Sequence, residues 1–376
     1  MEIICVLLQE NETLRKLANI LVTGGAGFIG CNFIRKMLFE IPGYRGRIIN
    51  YDNLSYSGNL YSLNEVYEKF FGTRYFFENG DITDRQKVST VLENYNIDTI
   101  VHFAAESHVD RSILGPEIFV KSNIVGTFIL LESVREYWNR IGSALEDKLF
   151  HHISTDEVYG SLDKNGYFTE KSPYAPHSPY SASKASSDHL VMSYYHTFGL
   201  PVTISNCSNN YGPYQFPEKF IPLMILNMLS GKSLPVYGNG KNIRDWIHVD
   251  DHNSAIWTII QKGKEGEKYN IGGDNEQENV KLLNILIDIV ATKAKLDPSS
   301  IRNTITYIKD RPGHDLRYSI DCSKLKQELG WKQTINFFEG LEHTIDWYIN
   351  NADWIEKILS REYKNWIEKN YKNRML

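Results

Sequence analysis

The sequence predicts an α/β fold: a doubly wound parallel sheet followed by a smaller C-terminal α/β lobe. Strand-like apolar runs alternate with helically spaced ones through the N-terminal half, the pattern of βαβ units. The first of these strands runs directly into a glycine-rich turn and a helix. The length, 376 residues, exceeds what one hydrophobic core usually holds, so a second lobe is expected.

Residues 1–18 form an N-terminal extension, read as a short peripheral helix or a tail. Asn19–Thr23 is a buried strand leading into Gly24–Gly30, and Cys31–Phe39 carries apolar side chains at helical spacing. Gly24, Gly27 and Gly30 allow a tight turn and close approach to a pyrophosphate. Backbone N–H groups at the helix start, around Phe28 and Ile29, would hold it. Arg47–Asp52 is a second strand ending in an acid about 20 residues beyond Gly30, where a carboxylate binds the adenosine ribose of NAD. Asp52 would repel the 2'-phosphate of NADP, and Asn53 brings no compensating charge. Phe76–Ile82 is a third strand, placing Asp81 and Ile82 near the adenine edge.

Asp98–His108 opens from a strand into small residues, so that a cofactor can pass over Ala104 and Ala105 at the strand end. Ser107 and His108 follow; His108 reads equally as a substrate contact or a satisfied loop histidine. Helices are expected over Gln86–Asn94 and Pro116–Tyr137.

Leu149–Ile153 is a short buried strand running into Thr155-Asp156-Glu157-Val158-Tyr159-Gly160. Adjacent carboxyls can serve as acid and base once their environments push their pKa values apart. Tyr180 and Lys184 stand at i and i+4, on one face of a helix. A lysine beside a tyrosine favours the phenolate and makes it a base near neutral pH. That helix continues to Phe198, and Gly199–Pro201 ends it.

Val202–Asn206 is the next strand, and the polar run Cys207–Pro217 reads as a loop. Lys219, Tyr237, Arg244, Arg311 and Arg317 are the groups from which a second lobe could build a diphosphate site, Arg offering a bidentate fork. Asp310–Asp315 is unusually polar between apolar flanks. From Phe337 onward the chain reads as helical, its Trp and Tyr residues serving packing. The division expected is 19–205 for the NAD-binding domain, with a later contribution from about 243–272. Residues 206–356 mainly form the substrate lobe, and 357–376 a helical tail.

A net charge of −5 with 23% charged residues gives no basic surface for nucleic acid. No apolar run is long enough for a membrane span, and the N-terminus lacks the features of a secretory signal, so a cytoplasmic location is expected. Cys5, Cys31, Cys207 and Cys322 show neither disulfide nor metal-ligand spacing and read as reduced structural thiols. No metal is called for.

With Thr23–Gly30, the Tyr180/Lys184 pair and Thr155-Asp156-Glu157 in place, the chain resembles the extended short-chain dehydrogenase/reductases, which share a Rossmann-like fold. Within them it is similar to the nucleotide-sugar 4,6-dehydratases that act on dTDP-glucose. The likeness runs from about Ile20 to Trp354 and includes His151–Gly160, Cys207–Lys219, Arg244–Asp251, Asn270–Gly273 and Asp310–Asp315. Asp156 is the discriminating residue, because related epimerases and decarboxylases lack the acid pair.

The resemblance implies a bound NAD that is reduced and reoxidised within one turnover. Tyr180, aided by Lys184, takes the C4 hydroxyl proton, and Thr155 positions O4. Glu157 removes the C5 hydrogen, and Asp156 protonates the departing C6 hydroxyl. The product, a 4-keto-6-deoxy sugar nucleotide, feeds deoxysugar synthesis. Asn210, Lys219, Arg244, Asn270, Arg311 and His314 would bind the sugar nucleotide, with Ser107, His108 and Tyr237 counted beside them. A homodimer is implied, joined as a four-helix bundle through Pro116–Tyr137 and Tyr180–Phe198. Thymidine and uridine differ by one methyl, worth only about 1–3 kcal/mol in a pocket. UDP-glucose, a related epimerase or decarboxylase reaction, and a non-catalytic NAD-binding regulator are the alternatives.

Overall fold

The computed structural model describes residues 14–142 and 145–359. Among the described residues twelve strands are formed: β1 (Asn19–Thr23), β2 (Arg47–Asp52), β3 (Tyr75–Asn79), β4 (Thr99–His102), β5 (Leu149–Thr155), β6 (Val202–Cys207), β7 (Asn209–Tyr211), β8 (Leu234–Tyr237), β9 (Ile243–His248), β10 (Glu267–Ile271), β11 (Glu276–Glu278) and β12 (Ile305–Ile308). Seven of them build one sheet in the order β10-β6-β5-β4-β1-β2-β3, and every pairing in it is parallel. A parallel sheet needs helical crossovers on both faces, so its central strands are buried on both sides, the polar Thr99, His102, His151 and His152 included. β4 and β5 are buried along their whole length.

One face packs Ile34 of helix Phe28–Arg35 against Ile256 and Ile260 of helix Val249–Lys262. The other packs Val91, Leu130, Val134 and Val191 from the helices that cross between β3 and β6. Strand order reverses between β1 and β4, and open α/β sheets bind ligands outside the carboxyl ends at that switch.

The lobe has its own core, including Ile221, Met224, Leu286, Leu341 and Tyr348. It carries a three-stranded sheet, β11-β9-β7, and a two-stranded one, β12-β8.

Several expectations shift. Cys207–Pro217 is not all loop: Asn209–Tyr211 pairs in parallel with β9, a contact set by tertiary packing. The return to the main sheet comprises helix Val249–Lys262 and β10, whereas β9, inside the expected 243–272 stretch, belongs to the lobe sheet. The C-terminal helix is broken at Asn351, between Phe337–Asn350 and Ala352–Ile358. Of the N-terminal extension, residues 1–13 lie outside the described residues, as do 360–376 of the expected tail. Arg15 ties the described part of the extension to the sheet domain by donating to the carbonyls of Ile260 and Gly263 at 2.9 and 2.8 Å. Among the described residues Cys31, Cys207 and Cys322 are buried free thiols, and no helix is long and apolar enough to cross a membrane.

Candidate active site

One cleft lies over the carboxyl ends of β1, β2, β4 and β5. Gly24, Gly27, Phe28, Ile29, Gly30, Asp52, Asn53, Asp81, Ile82, Ala104 and Ala105 all line it, as do Thr155, Asp156, Glu157, Tyr180 and Lys184. Gly24 adopts φ +72°, and a Cβ there would stand 2.6 Å from the Ala104 backbone nitrogen across the switch point. A Cβ on Gly30 would stand 2.4 Å from the Gly24 carbonyl oxygen, so glycine is what lets the helix start so close to the turn. Gly27 begins that helix with no side-chain cap, leaving its first N–H groups for a ligand in the cleft. Asp52 ends β2 with its Oδ2 accepting from Ala26 N at 2.9 Å and Oδ1 from Leu54 N at 2.8 Å. Burial holds its pKa up, opposed by those two bonds. The Asp81 carboxylate accepts from Asn53 Nδ2 at 3.1 Å and from Thr83. An open cradle of uncapped N–H groups with a carboxylate at the end of β2 fits a dinucleotide with a free ribose diol.

β5 delivers the acid pair. Thr155, its last residue, caps a short 3₁₀ turn by accepting from Glu157 N at 3.3 Å, which fixes Asp156 and Glu157 at the strand end. The Thr155 hydroxyl also lies 3.3 Å from Asp156 Oδ1, as donor. Asp156 is 1% exposed, and its Oδ2 has no hydrogen-bond partner. Burial, then the charges of Glu157 and Asp245, push its pKa well above the usual carboxylate range. Burial raises Glu157 too, but Arg244, Lys219 and Arg311 pull it back. Burial thus raises both neighbouring carboxyls, Asp156 the further, because more cations oppose the rise at Glu157.

Helix Pro179–Phe198 presents Tyr180 and Lys184. Pro179 at its first position and the reciprocal Ser178/Ser181 capping box fix its start, so both groups lie in its opening turns under the acid pair. The expectation that Lys184 lowers the Tyr180 pKa is not met by the protein groups alone. Lys184 Nζ donates to the Ile153 carbonyl at 2.7 Å. Burial, with Glu157 next, holds the Tyr180 phenol well above its ordinary value. Burial brings Lys184 down to about 8, against the pull of Asp188 and Cys207.

A second cleft continues from the first and is lined by Ser107, His108, Asn210, Lys219, Arg244, Arg311 and His314, with Glu157 shared between the two. Arg311 forms a fork on Asp110 at 2.9 and 2.8 Å, and Arg244 stacks 4.2 Å over the Tyr318 ring. Lys219 Nζ donates to the Ser107 carbonyl at 2.9 Å. His108 combines both of its readings: it lines the cleft, and it is buried with Nε2 3.4 Å from the Glu218 carbonyl.

Two assigned substrate residues lie elsewhere. Asn270 is fully buried on β10, donating to the Phe168 carbonyl at 3.2 Å and accepting from Tyr159 OH at 2.9 Å, where it locks a loop to the sheet. Tyr237 lies behind Arg311, its ring 4.5 Å from the guanidinium, and donates to Asp110. Arg317 turns away to a two-bond ion pair with Glu276.

The sequence reading did not single out Glu106, Ser122, Gln215, Phe216, Glu218 or Tyr318, which line the clefts. Phe216 and Glu218 lie within or beside the quoted Cys207–Lys219 motif, and that proximity was the available signal. Glu218 also accepts from Tyr56 OH at 2.8 Å and from Arg111 Nε at 3.1 Å, clasping the loop after β2 to the lobe.

Comparison with known proteins gives a family match, to GDP-mannose 4,6-dehydratase, over residues 21–344. The dTDP-glucose 4,6-dehydratase of Escherichia coli is 50% identical over 368 residues, covering 94% of this chain and 99% of the relative. The crystal structure of a Streptomyces venezuelae dTDP-glucose 4,6-dehydratase, solved with NAD bound, is similar with a TM-score of 0.81 and 43% identity. It covers 90% of this chain and 99% of that one. The Bacillus anthracis dTDP-glucose 4,6-dehydratase in complex with NAD matches with a TM-score of 0.79 and 44% identity, over 91% and 99% of the two chains.

Proposed function

The chain belongs to the GDP-mannose 4,6-dehydratase family, and from that premise we propose that it is a hydro-lyase converting dTDP-glucose to dTDP-4-keto-6-deoxyglucose with NAD as resident cofactor. Near-half identity over almost the full length to dTDP-glucose enzymes favours thymidine over the guanosine of the family's description. The observation that carries the chemistry is the acid pair Asp156/Glu157 in the same cleft as Tyr180 and Lys184.

Gly24, Gly27 and Gly30 with the helix N-terminus would hold the pyrophosphate, and Asp52 would take the ribose hydroxyls. When bound, NAD supplies the hydride acceptor and donor, and a positive ring charge that favours the Tyr180 phenolate. The Tyr180 oxygen accepts the C4 hydroxyl proton as hydride leaves C4, with Thr155 bonded to O4. The C4 ketone acidifies C5–H, and Glu157, raised by burial and drawn back by Arg244, Lys219 and Arg311, takes that proton. Asp156, kept neutral by burial, donates its proton to the C6 hydroxyl, which departs as water. Glu157 returns its proton to C5 when C6 is reduced, and the proton gained by Tyr180 is released to solvent as Asp156 regains one. Lys219, Arg244 and Arg311 bind the diphosphate, with Ser107, His108, Asn210 and His314 around the sugar nucleotide.

Residues 19–205, joined by helix Val249–Lys262 and β10, form the NAD domain, and 206–356 mainly the sugar-nucleotide lobe. The protein acts as a homodimer in the cytoplasm. The dimer is supported by the exposed apolar residues Ile118, Val120, Val125 and Phe128 within Pro116–Tyr137 of the predicted bundle. The cytoplasmic location agrees with the buried free thiols.

Incubation with dTDP-glucose and, separately, UDP-glucose, without added reductant, tests the reading. Alkali-developed absorbance of a 4-keto-6-deoxy sugar is expected from dTDP-glucose. Product from UDP-glucose alone would reassign the base, and none from either would remove the dehydratase.

A further inference from the structure

We propose that Asp188, which lines neither cleft, is a positioning residue for the reaction: its buried carboxylate holds the Lys184 ammonium charged, acting through the imidazole of His152. The inference rests on the reading of Tyr180 and Lys184 as the hydride-transfer pair.

Asp188 follows Lys184 by one helical turn and is 1% exposed. Its Oδ2 accepts from Ser154 Oγ and Tyr174 OH at 2.8 Å each and from Asn206 Nδ2 at 3.3 Å. Its Oδ1 faces His152 Nε2 at 3.3 Å, and the same nitrogen lies 3.4 Å from Lys184 Nζ. One ring nitrogen thus stands between an ammonium and a carboxylate. Bare, it accepts from Lys184; protonated, it donates to Asp188. In both arrangements the carboxylate rewards a positive charge on the Lys184/His152 pair.

No other group around Lys184 does this as strongly. His152 and His102, with rings 5.2 Å apart, are both buried and held neutral, His152 down to about 4 by burial and then by Lys184 itself. Cys207 on β6 is pushed up to about 12 by burial, and Tyr180 lies well above its ordinary value. Lys268 on β10 lies beyond the Tyr174 ring, 4.6 Å from its centroid, outside the ring of groups that touches Lys184. A buried carboxylate is costly without a cation, and burial of Lys184 alone would favour the neutral amine. Each charge makes the other tenable.

Asp188→Asn keeps the shape and removes the charge. The ammonium then loses its counter-charge and Lys184 deprotonates at lower pH. Competitive methylation of Lys184 in the full-length protein, read by peptide mass across pH, should show its midpoint falling by about one unit or more. The alkaline limb of kcat should move down with it, while activity at lower pH is retained. Tyr174→Phe removes one bond to Asp188 but not the charge, and should lower Tm without moving the limb. Asp188→Ser, which also removes the charge, carries the test if the Asn variant does not fold, and its midpoint should also fall. An unmoved midpoint in the Asp188→Asn variant, or in Asp188→Ser where it stands in, overturns the proposal and leaves Asp188 a structural residue. Methylation needs no substrate, so it reads the pair even if dTDP-glucose gives no product.

Discussion

Asp156 and Glu157 are chemically near-identical and adjacent, yet their surroundings separate them. Asp156 faces carboxylates and is sealed from water, whereas Glu157 opens toward three cations. Asp156→Asn removes the proposed proton donor, and elimination should slow by about 10²–10⁴-fold. Reduced cofactor should still form on mixing with substrate, followed by stopped-flow absorbance. Glu157→Gln should suppress exchange of solvent deuterium into C5 by a similar factor, read by NMR of the product. On the proposed mechanism Lys184 sets the alkaline boundary. It is charged below its pKa, so rates that need the ammonium should fall as pH rises through about 8, seen in a pH profile of kcat at saturating substrate. At this scale the acid pair and the Tyr180/Lys184 pair were legible, because neighbours in sequence or one helical turn apart are neighbours in space. Asn270 was misplaced because residue type does not say which side of a strand end a side chain serves. The influence of carboxyls on Tyr180 was hidden because it arises from a different element.

At the scale of elements, the β1–turn–helix unit is where backbone geometry is least forgiving. Gly30→Ala drives a Cβ to within 2.4 Å of the Gly24 carbonyl, which forces the helix away from the turn. Such overpacking costs about 1–3 kcal/mol. The variant should lose bound NAD on gel filtration and unfold at lower temperature by calorimetry. Apolar periodicity, Gly24–Gly30 and the Gly199–Pro201 stop revealed these elements, since caps and glycines act locally. β7 escaped because a three-residue strand of Asn, Asn and Tyr owes its existence to β9 alone. The Asn351 break in the last helices likewise has no proline or glycine to announce it.

Over the whole molecule, two lobes meet across one continuous cleft, and the pairings that join them were invisible in the sequence. Arg311 and Asp110 stand 201 residues apart, and Tyr56 meets Glu218 across 162; nothing local couples such partners. The exposed residues Ile118, Val125 and Phe128 of Pro116–Tyr137 make the expected dimer testable. Light scattering at micromolar concentration should give a dimer mass, and Ile118→Lys with Phe128→Lys should give a monomer that retains its helical circular dichroism. The central claim is that one cleft oxidises C4, eliminates water and reduces C6 with a cofactor that never leaves. Incubating the protein with dTDP-glucose deuterated at C4, without added reductant, tests it most directly. The account predicts that the deuterium is recovered at C6 of the keto sugar. Deuterium lost to solvent or left on released cofactor, with unlabelled C6, would contradict it.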